Sequence, residues 1–316
     1  MKIGVIGAGS VGAATISALV RTGGVSPDVV IVDRDEKKAA GLAEDMTYVA
    51  ALSSLSSVRA GGYDQLEGAS LVIVTAGVNE KNGGATDRND PKGRLNLIPV
   101  NAKAYREMIP AATHAAPEAT LLVVTDPPDP LADLARALAP TTNIVSAGTV
   151  IDSLRLRHHI ALHLGVHARD VQASVVGEHG TSSVVLWSTA TVGGAPVLDE
   201  FRRLGGVPKA IQNQIESDVR FGNITIIEGI GASQHGIGAV VGRLAEAIVT
   251  DENAVFPVAS YQSDYDVTLA LPSILGAGGV VRTILPRFTD EELAGLHHSA
   301  AVLRDARDIA LGTAHS

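Results

Sequence analysis

The chain has 316 residues, 46% of them hydrophobic and 19% charged, with a formal net charge of −9. That length carries two domains and an ample core, and the composition is far from that of a disordered chain. The acidic balance offers no phosphate footprint to a nucleic-acid partner, and the lack of cysteine excludes disulfides, thiolate nucleophiles and thiolate metal sites.

Residues 2–6 are a short apolar run that reads as a buried strand. Glycines at 4, 7, 9 and 12 interrupt the apolar N-terminus, so no signal peptide is expected there. No apolar run is long enough to span a bilayer, and the expected location is cytoplasmic. The strand enters Gly7-Ala8-Gly9-Ser10-Val11-Gly12 and then a helical stretch, 13–21. A second apolar run, 29–32, ends in Asp33, about twenty residues past the last glycine. This is a dinucleotide fingerprint: Gly7, Gly9, Ser10, Val11 and Gly12 let backbone approach a pyrophosphate at a helix N-terminus, and Asp33 bonds the ribose 2′-hydroxyl. The competing reading is a tight turn with an incidental Asp. Asp33 favours NAD over NADP, although Arg34 stands beside it.

Strands are expected at 71–75, 121–125 and 144–147, with helices at 96–115 and 129–138 between them, which makes a parallel, doubly wound α/β sheet. Between them, 76–94 is a long polar loop of the kind that serves as a lid, carrying Arg88 and Arg94. Two arginines there can close over an anion; the alternative is a solvated charged loop. After Gly148 the texture changes. A helix over 150–164 leads to strand-like runs at 171–176 and 184–191, a long helical region at 208–250, further runs at 255–261, 267–271 and 280–284, and a helix over 290–311. The expected organisation is a Rossmann domain, 1–148, and a mixed α+β substrate domain, 149–316, packed with the site in the cleft between them.

Two motifs in the second half carry chemistry. Gly177-Glu178-His179-Gly180 presents a histidine near small neighbours, and an aspartate such as Asp152 can fix its tautomer. Arg155 follows Asp152 by three residues, so on a helix the two share a face, and its guanidinium suits a carboxylate held by two bonds. The bland reading is a buried, satisfied histidine with a surface ion pair. His159, His163 and His167 have helical spacing but are expected to hold no metal, since Gly165 interrupts the helix before His167.

Together these residues resemble the lactate/malate dehydrogenase family nearly end to end. The likeness includes the fingerprint, Thr75-Ala76-Gly77, Arg94-Leu95-Asn96-Leu97, the run Gly148 to Arg155, the His179 motif, Pro272-Ser273-Ile274-Leu275-Gly276 and the C-terminal helix. The resemblance implies an NAD-dependent L-2-hydroxy acid dehydrogenase that forms dimers or tetramers. His179 would exchange the substrate proton, Asp152 orient it, Arg155 bind the C1 carboxylate, and Arg94 close with the loop and polarise the carbonyl. Thr75, Ala76 and Gly77 join the cofactor site. Counting six residues back from Arg94 puts Arg88 at the family's selectivity position, which resembles the malate dehydrogenase pattern and leans to a dicarboxylate. Ser233, Gln234 and His235 match a stretch that lines the substrate pocket. The loop is longer than is usual in the family, and Asp126 stands where the family carries an asparagine that helps fix the substrate oxygen. An ionised Asp126 would oppose charge developing there, so an altered substrate, such as a cationic imine, or a loss of chemistry are the competing readings.

Overall fold

The structure, a computed structural model, describes residues 1–21, 27–53, 55–83, 85–87, 93–140 and 142–313. The first part runs β1 (Lys2–Ile6), α1 (Ser10–Arg21), β2 (Asp28–Val32), α2 (Glu36–Ser53), β3 (Ser57–Ala60), β4 (Leu71–Val74), α3 (Ile98–Ala115), β5 (Thr120–Val123), α4 (Pro128–Leu138) and β6 (Ile144–Ser146). These six strands are parallel in the order β3-β2-β1-β4-β5-β6. Strand order reverses between β1 and β4, where an open α/β sheet leaves a crevice at the strand C-termini.

Alternation along the strands explains the layering. Ile3, Val5, Ile31 and Ile73 point to one face, buried beneath α1 and α2. Ile6, Val30, Val32, Val72 and Val74 point to the other, beneath α3 and α4. The apolar runs are buried on both faces, as a parallel sheet covered by helices requires.

The second part runs α5 (Val150–Leu164), β7 (Val171–Gln172), β8 (Val175–Val176), β9 (Val184–Val185), β10 (Thr191–Val192), β11 (Ala195–Pro196), α6 (Val197–Arg203), α7 (Pro208–Ile230), α8 (His235–Val249), β12 (Ala254–Phe256), β13 (Ala259–Gln262), β14 (Val267–Ala270), β15 (Ser273–Gly276), β16 (Gly279–Thr283) and α9 (Asp290–Leu311). The fold is thus a Rossmann doubly wound sheet followed by a mixed α+β region. β13 pairs antiparallel with β6 through Ala259 and Ser146, and with β14, so the main sheet gains two strands from the second half. α8 returns to the first half and packs on α1 so closely that a Cβ on Gly238 or Gly242 would stand 2.5 or 2.7 Å from Ala14 or Ala18.

Two expectations need correction, and two elements were not expected. The helical region 208–250 is two helices, parted where Gly231 adopts φ +84° and ends α7. The runs 171–176 and 184–191 are each broken into shorter pieces, β7 with β8 and β9 with β10. α2 and β3 carry no expectation from the sequence, because α2 buries mainly small residues (Ala39, Ala43, Met46 and Ala50), a weak apolar stripe. No helix among the described residues is long and apolar enough to cross a membrane.

Candidate active site

The glycine turn is built by steric necessity. Gly7 has φ +112°, and a Cβ on Gly12 would lie 1.9 Å from the Gly7 carbonyl oxygen. Larger residues would push α1 away from the strand. A Cβ on Gly9, by contrast, would meet nothing within 4 Å, so the turn faces open space at the N-terminus of α1, where Ser10 is the first helical residue. Asp33, just past β2, accepts from the Ala8 amide at 2.7 Å and from the Asp35 amide at 2.9 Å. Thr75 donates to the carbonyls of Ile6 and Gly7, both at 3.1 Å, and its neighbour Ala76 accepts from Thr125 Oγ at 2.8 Å. An open backbone cradle, a helix N-terminus and an adjacent carboxylate fit a dinucleotide.

From this turn a cleft runs to the second half. It is lined by Val11, Thr75 and Gly77 at the cofactor end, and by Glu80, Arg94, Asp126, Arg155, His179, Asn223 and Ser233 beyond. α5 supplies two of these side chains because Val150 to Leu164 forms one uninterrupted helix, closed by Gly165 at φ +67°. Asp152 is its hub. One oxygen faces His179 Nδ1 at 2.5 Å and the other accepts from Arg155 Nη1 at 3.2 Å. A carboxylate can only accept, so Nδ1 carries the proton and Nε2 is left for the cleft.

The spacing of that hub is set by backbone anchors. Thr149 Oγ donates to the Val175 carbonyl at 2.5 Å, and Ser153 Oγ accepts from the Val175 amide at 2.9 Å, clamping β8 onto α5. Gly177 then exchanges hydrogen bonds with Ala270 at 2.8 and 3.0 Å. Its φ of +83° and the 2.5 Å a Cβ would leave to Ser299 Oγ explain why glycine stands there. The Glu178 amide donates to Ser299 Oγ at 2.7 Å, while the Glu178 carboxylate accepts from the Ser182 amide and hydroxyl. His179 therefore leaves a fixed stem.

Asp129, which carries no expectation from the sequence, holds that stem from the other half. Its buried carboxylate accepts from the His179 amide at 3.0 Å and from Ser146 Oγ at 2.7 Å. The proline run around it is a helix start: Pro127 is the cap of α4 and Pro128 its first residue, where a missing N–H costs nothing. Burial pushes Asp129 up to about 6, against these two hydrogen bonds.

Arg94 and Asp126 complete the reacting end. Arg94 Nη1 donates to Asp126 Oδ1 at 3.5 Å and to the His179 carbonyl at 3.4 Å. Asp126 thus has a cation beside it, and its side chain has not turned away to backbone amides. Asp126 Oδ2 is buried without a hydrogen-bond partner among the described residues. Burial pushes Asp126 up to about 6, with Arg94 opposing and Glu80 reinforcing the rise. Burial also pushes Asp152 up, but His179, Arg155 and Arg94 outweigh it and hold that carboxyl below its usual value. Asn101, a second residue without a sequence expectation, donates to the Asp126 carbonyl at 2.8 Å and accepts from the Val78 amide at 2.8 Å, fastening the loop to the site.

Arg88 lies outside the described residues. Ser233 lines the cleft, whereas Gln234 and His235 face each other at 3.3 Å and are not among the lining residues. The helical histidines have other partners: His159 lies 3.9 Å from Asp218, His163 packs edge-on against Phe201, and His167 accepts from the Arg169 amide beyond the helix end.

Residues 1–145 match the lactate/malate dehydrogenase NAD-binding domain, and residues 149–313 match the lactate/malate dehydrogenase alpha/beta C-terminal domain. Similar proteins include an L-lactate dehydrogenase of Deinococcus radiodurans, 42% identical over 306 residues that cover 96% of this chain and 97% of that one. Another is an L-lactate dehydrogenase of Thermus aquaticus, 42% identical over 314 residues, covering 97% and 98%. Among solved structures, the minor L-lactate dehydrogenase from Enterococcus mundtii superposes with a TM-score of 0.89 at 30% identity, covering 97% of each chain. The chain belongs to the lactate/malate dehydrogenase family and is an NAD-dependent 2-hydroxy acid dehydrogenase.

Proposed function

We propose that the protein interconverts an L-2-hydroxy monocarboxylate and the corresponding 2-oxo acid, of the pyruvate and lactate kind. The observation that carries this reading is the Asp152 hub, which joins a proton-transferring imidazole and a carboxylate-binding guanidinium in one cleft. Bound NAD supplies the carbon that gives or takes the hydride. Arg155 holds the substrate carboxylate in a two-bond fork, for which its planar donors are suited. In the reducing direction His179 gives the proton on Nε2 to the carbonyl oxygen as that oxygen becomes a hydroxyl. Asp152 keeps the ring oriented and stabilises its charged form. Arg94 faces the oxygen on which negative charge develops, and the loop that carries it excludes water as it closes.

At the cofactor end, Gly7, Gly9, Ser10, Val11 and Gly12 take the pyrophosphate, Asp33 the ribose hydroxyls, and Thr75-Ala76-Gly77 the turn beside the nicotinamide. The chain divides between the two jobs at residue 148. A cytoplasmic homo-oligomer, dimer or tetramer, agrees with the family likeness.

The dicarboxylate expectation loses its support. Arg88 is outside the described residues, and the described wall presents Glu80 and Asp126, which would repel a second carboxylate. Loss of NADH absorbance with a panel of 2-oxo acids tests the reading. Turnover of pyruvate above oxaloacetate is the expected result; no turnover with any member of the panel would remove it.

A further inference from the structure

Glu80 lines the cleft without an ion pair among the described residues, although its charge is felt at longer range by Arg94 and Arg155. Asp126 faces Arg94, and Asp152 faces Arg155 and His179, whereas no described Lys, Arg or His lies within 4.0 Å of Glu80. Its recorded polar neighbour is neutral: Asn223 Nδ2, on α7, donates to Oε1 at 3.5 Å. Asn223 is 5% exposed, so this donor fixes the carboxylate on the wall. The adjacent Lys81 is directed elsewhere, its Nζ 3.7 Å from where a Cβ on Gly231 would stand. Among the described residues, Glu80, Asp126, Asp152 and a bound substrate carboxylate set four negative charges against three positive ones, on Arg94, Arg155 and a protonated His179. A second acceptor, Asp126 Oδ2, is buried without a hydrogen-bond partner among the described residues. The described cleft is therefore short of one positive charge, and Glu80 is its carboxylate farthest from a paired cation.

We infer that Glu80 is a specificity-determining residue that selects 2-oxo acids whose side chain carries a cation or a strong donor, such as an ammonium or guanidinium group. This inference rests on the 2-oxo acid reading above. In a cleft sheltered from water such a pair is less screened than at the surface, and it excludes a second carboxylate by the same charge.

The test is kcat/KM with NADH for four substrates: pyruvate, oxaloacetate, the 2-oxo acid corresponding to arginine, and an uncharged 2-oxo acid of equal chain length. The wild type is expected to favour the guanidino substrate over its uncharged counterpart by about tenfold, and less so as salt is raised. Glu80→Gln should remove most of that ratio. Glu80→Lys should invert it and favour oxaloacetate, a gain that a misfolded variant cannot show. Turnover of pyruvate with no preference for the cation, or a preference that survives both substitutions, overturns the inference and leaves the 2-oxo acid reading standing. No turnover of any of the four overturns both.

Discussion

The two walls of the cleft are made differently. The wall carrying Asp152, Arg155 and His179 stands on α5 and on the β8 segment clamped to it, and its anchors cross the chain from Thr149, Ser153, Ala270 and Ser299. The opposite wall, with Glu80 and Arg94, is a loop. Its tie to the scaffold from Val78 runs through the single side chain of Asn101, and Arg94 sits in a short turn before α3. Groups that must hold reacting atoms within a fraction of an ångström belong on packed elements, whereas groups that choose among substrates tolerate a looser support. The first wall, with Arg94, holds the groups proposed for the chemistry, and Glu80 on the loop is the group proposed for selection.

Breaking the first wall should have the largest effect. His179→Ala is expected to lower kcat by about a thousandfold, within the usual range for a positioned acid–base group, while a fluorescence titration still detects NADH binding. Activity within tenfold of wild type would take the proton elsewhere. Next comes the clamp: Arg155→Lys should raise KM by about tenfold or more, because a point charge cannot reproduce the fork. An unchanged KM would move the substrate carboxylate to another residue. At the cofactor end, NADH should outperform NADPH by about tenfold or more, since a 2′-phosphate beside Asp33 sets like charges together. Equal rates would make Arg34 the residue to examine.

Asp126 sharpens the boundary between the walls, and its effect is smaller. Burial raises it to about 6, so it is ionised at neutral pH and protonated in mild acid. The ionised form spends part of the charge of Arg94 and sets a carboxylate near an oxygen gaining negative charge. The rate with uncharged-chain 2-oxo acids should therefore rise as pH falls through about 6. Asp126→Asn should lift the neutral-pH rate by about threefold and remove that rise. A variant slower on every 2-oxo acid at neutral pH would mean that Asp126 assists the reaction.

The same division governs what the sequence makes legible. α5 and α9 follow the expected limits because strong local signals end them: Gly165 at one, and the Thr289–Glu292 capping box at the other. Asp152 and Arg155 share a helix turn, so their meeting is written in the spacing. The arrival of His179 beside them depends on β8 being clamped to α5, which no local pattern announces; there the family likeness supplied the pairing. Asp129 and Asn101 went unread because each serves the backbone of a distant segment. Counting back from Arg94 pointed to Arg88, whereas the described wall holds Glu80, three residues beyond the Thr75-Ala76-Gly77 turn. Counting across a lengthened loop leaves the register open, because nothing periodic fixes it, and Arg88 lies outside the described residues.

The most direct test of this account is the ratio of kcat/KM for pyruvate over oxaloacetate in the wild type, Asp152→Asn and Glu80→Gln. If Asp152 serves the chemistry and Glu80 the selection, Asp152→Asn lowers both values together and leaves the ratio within about twofold, while Glu80→Gln shifts it towards oxaloacetate by about fivefold or more. A ratio that moves with Asp152→Asn and stays fixed in Glu80→Gln would contradict it.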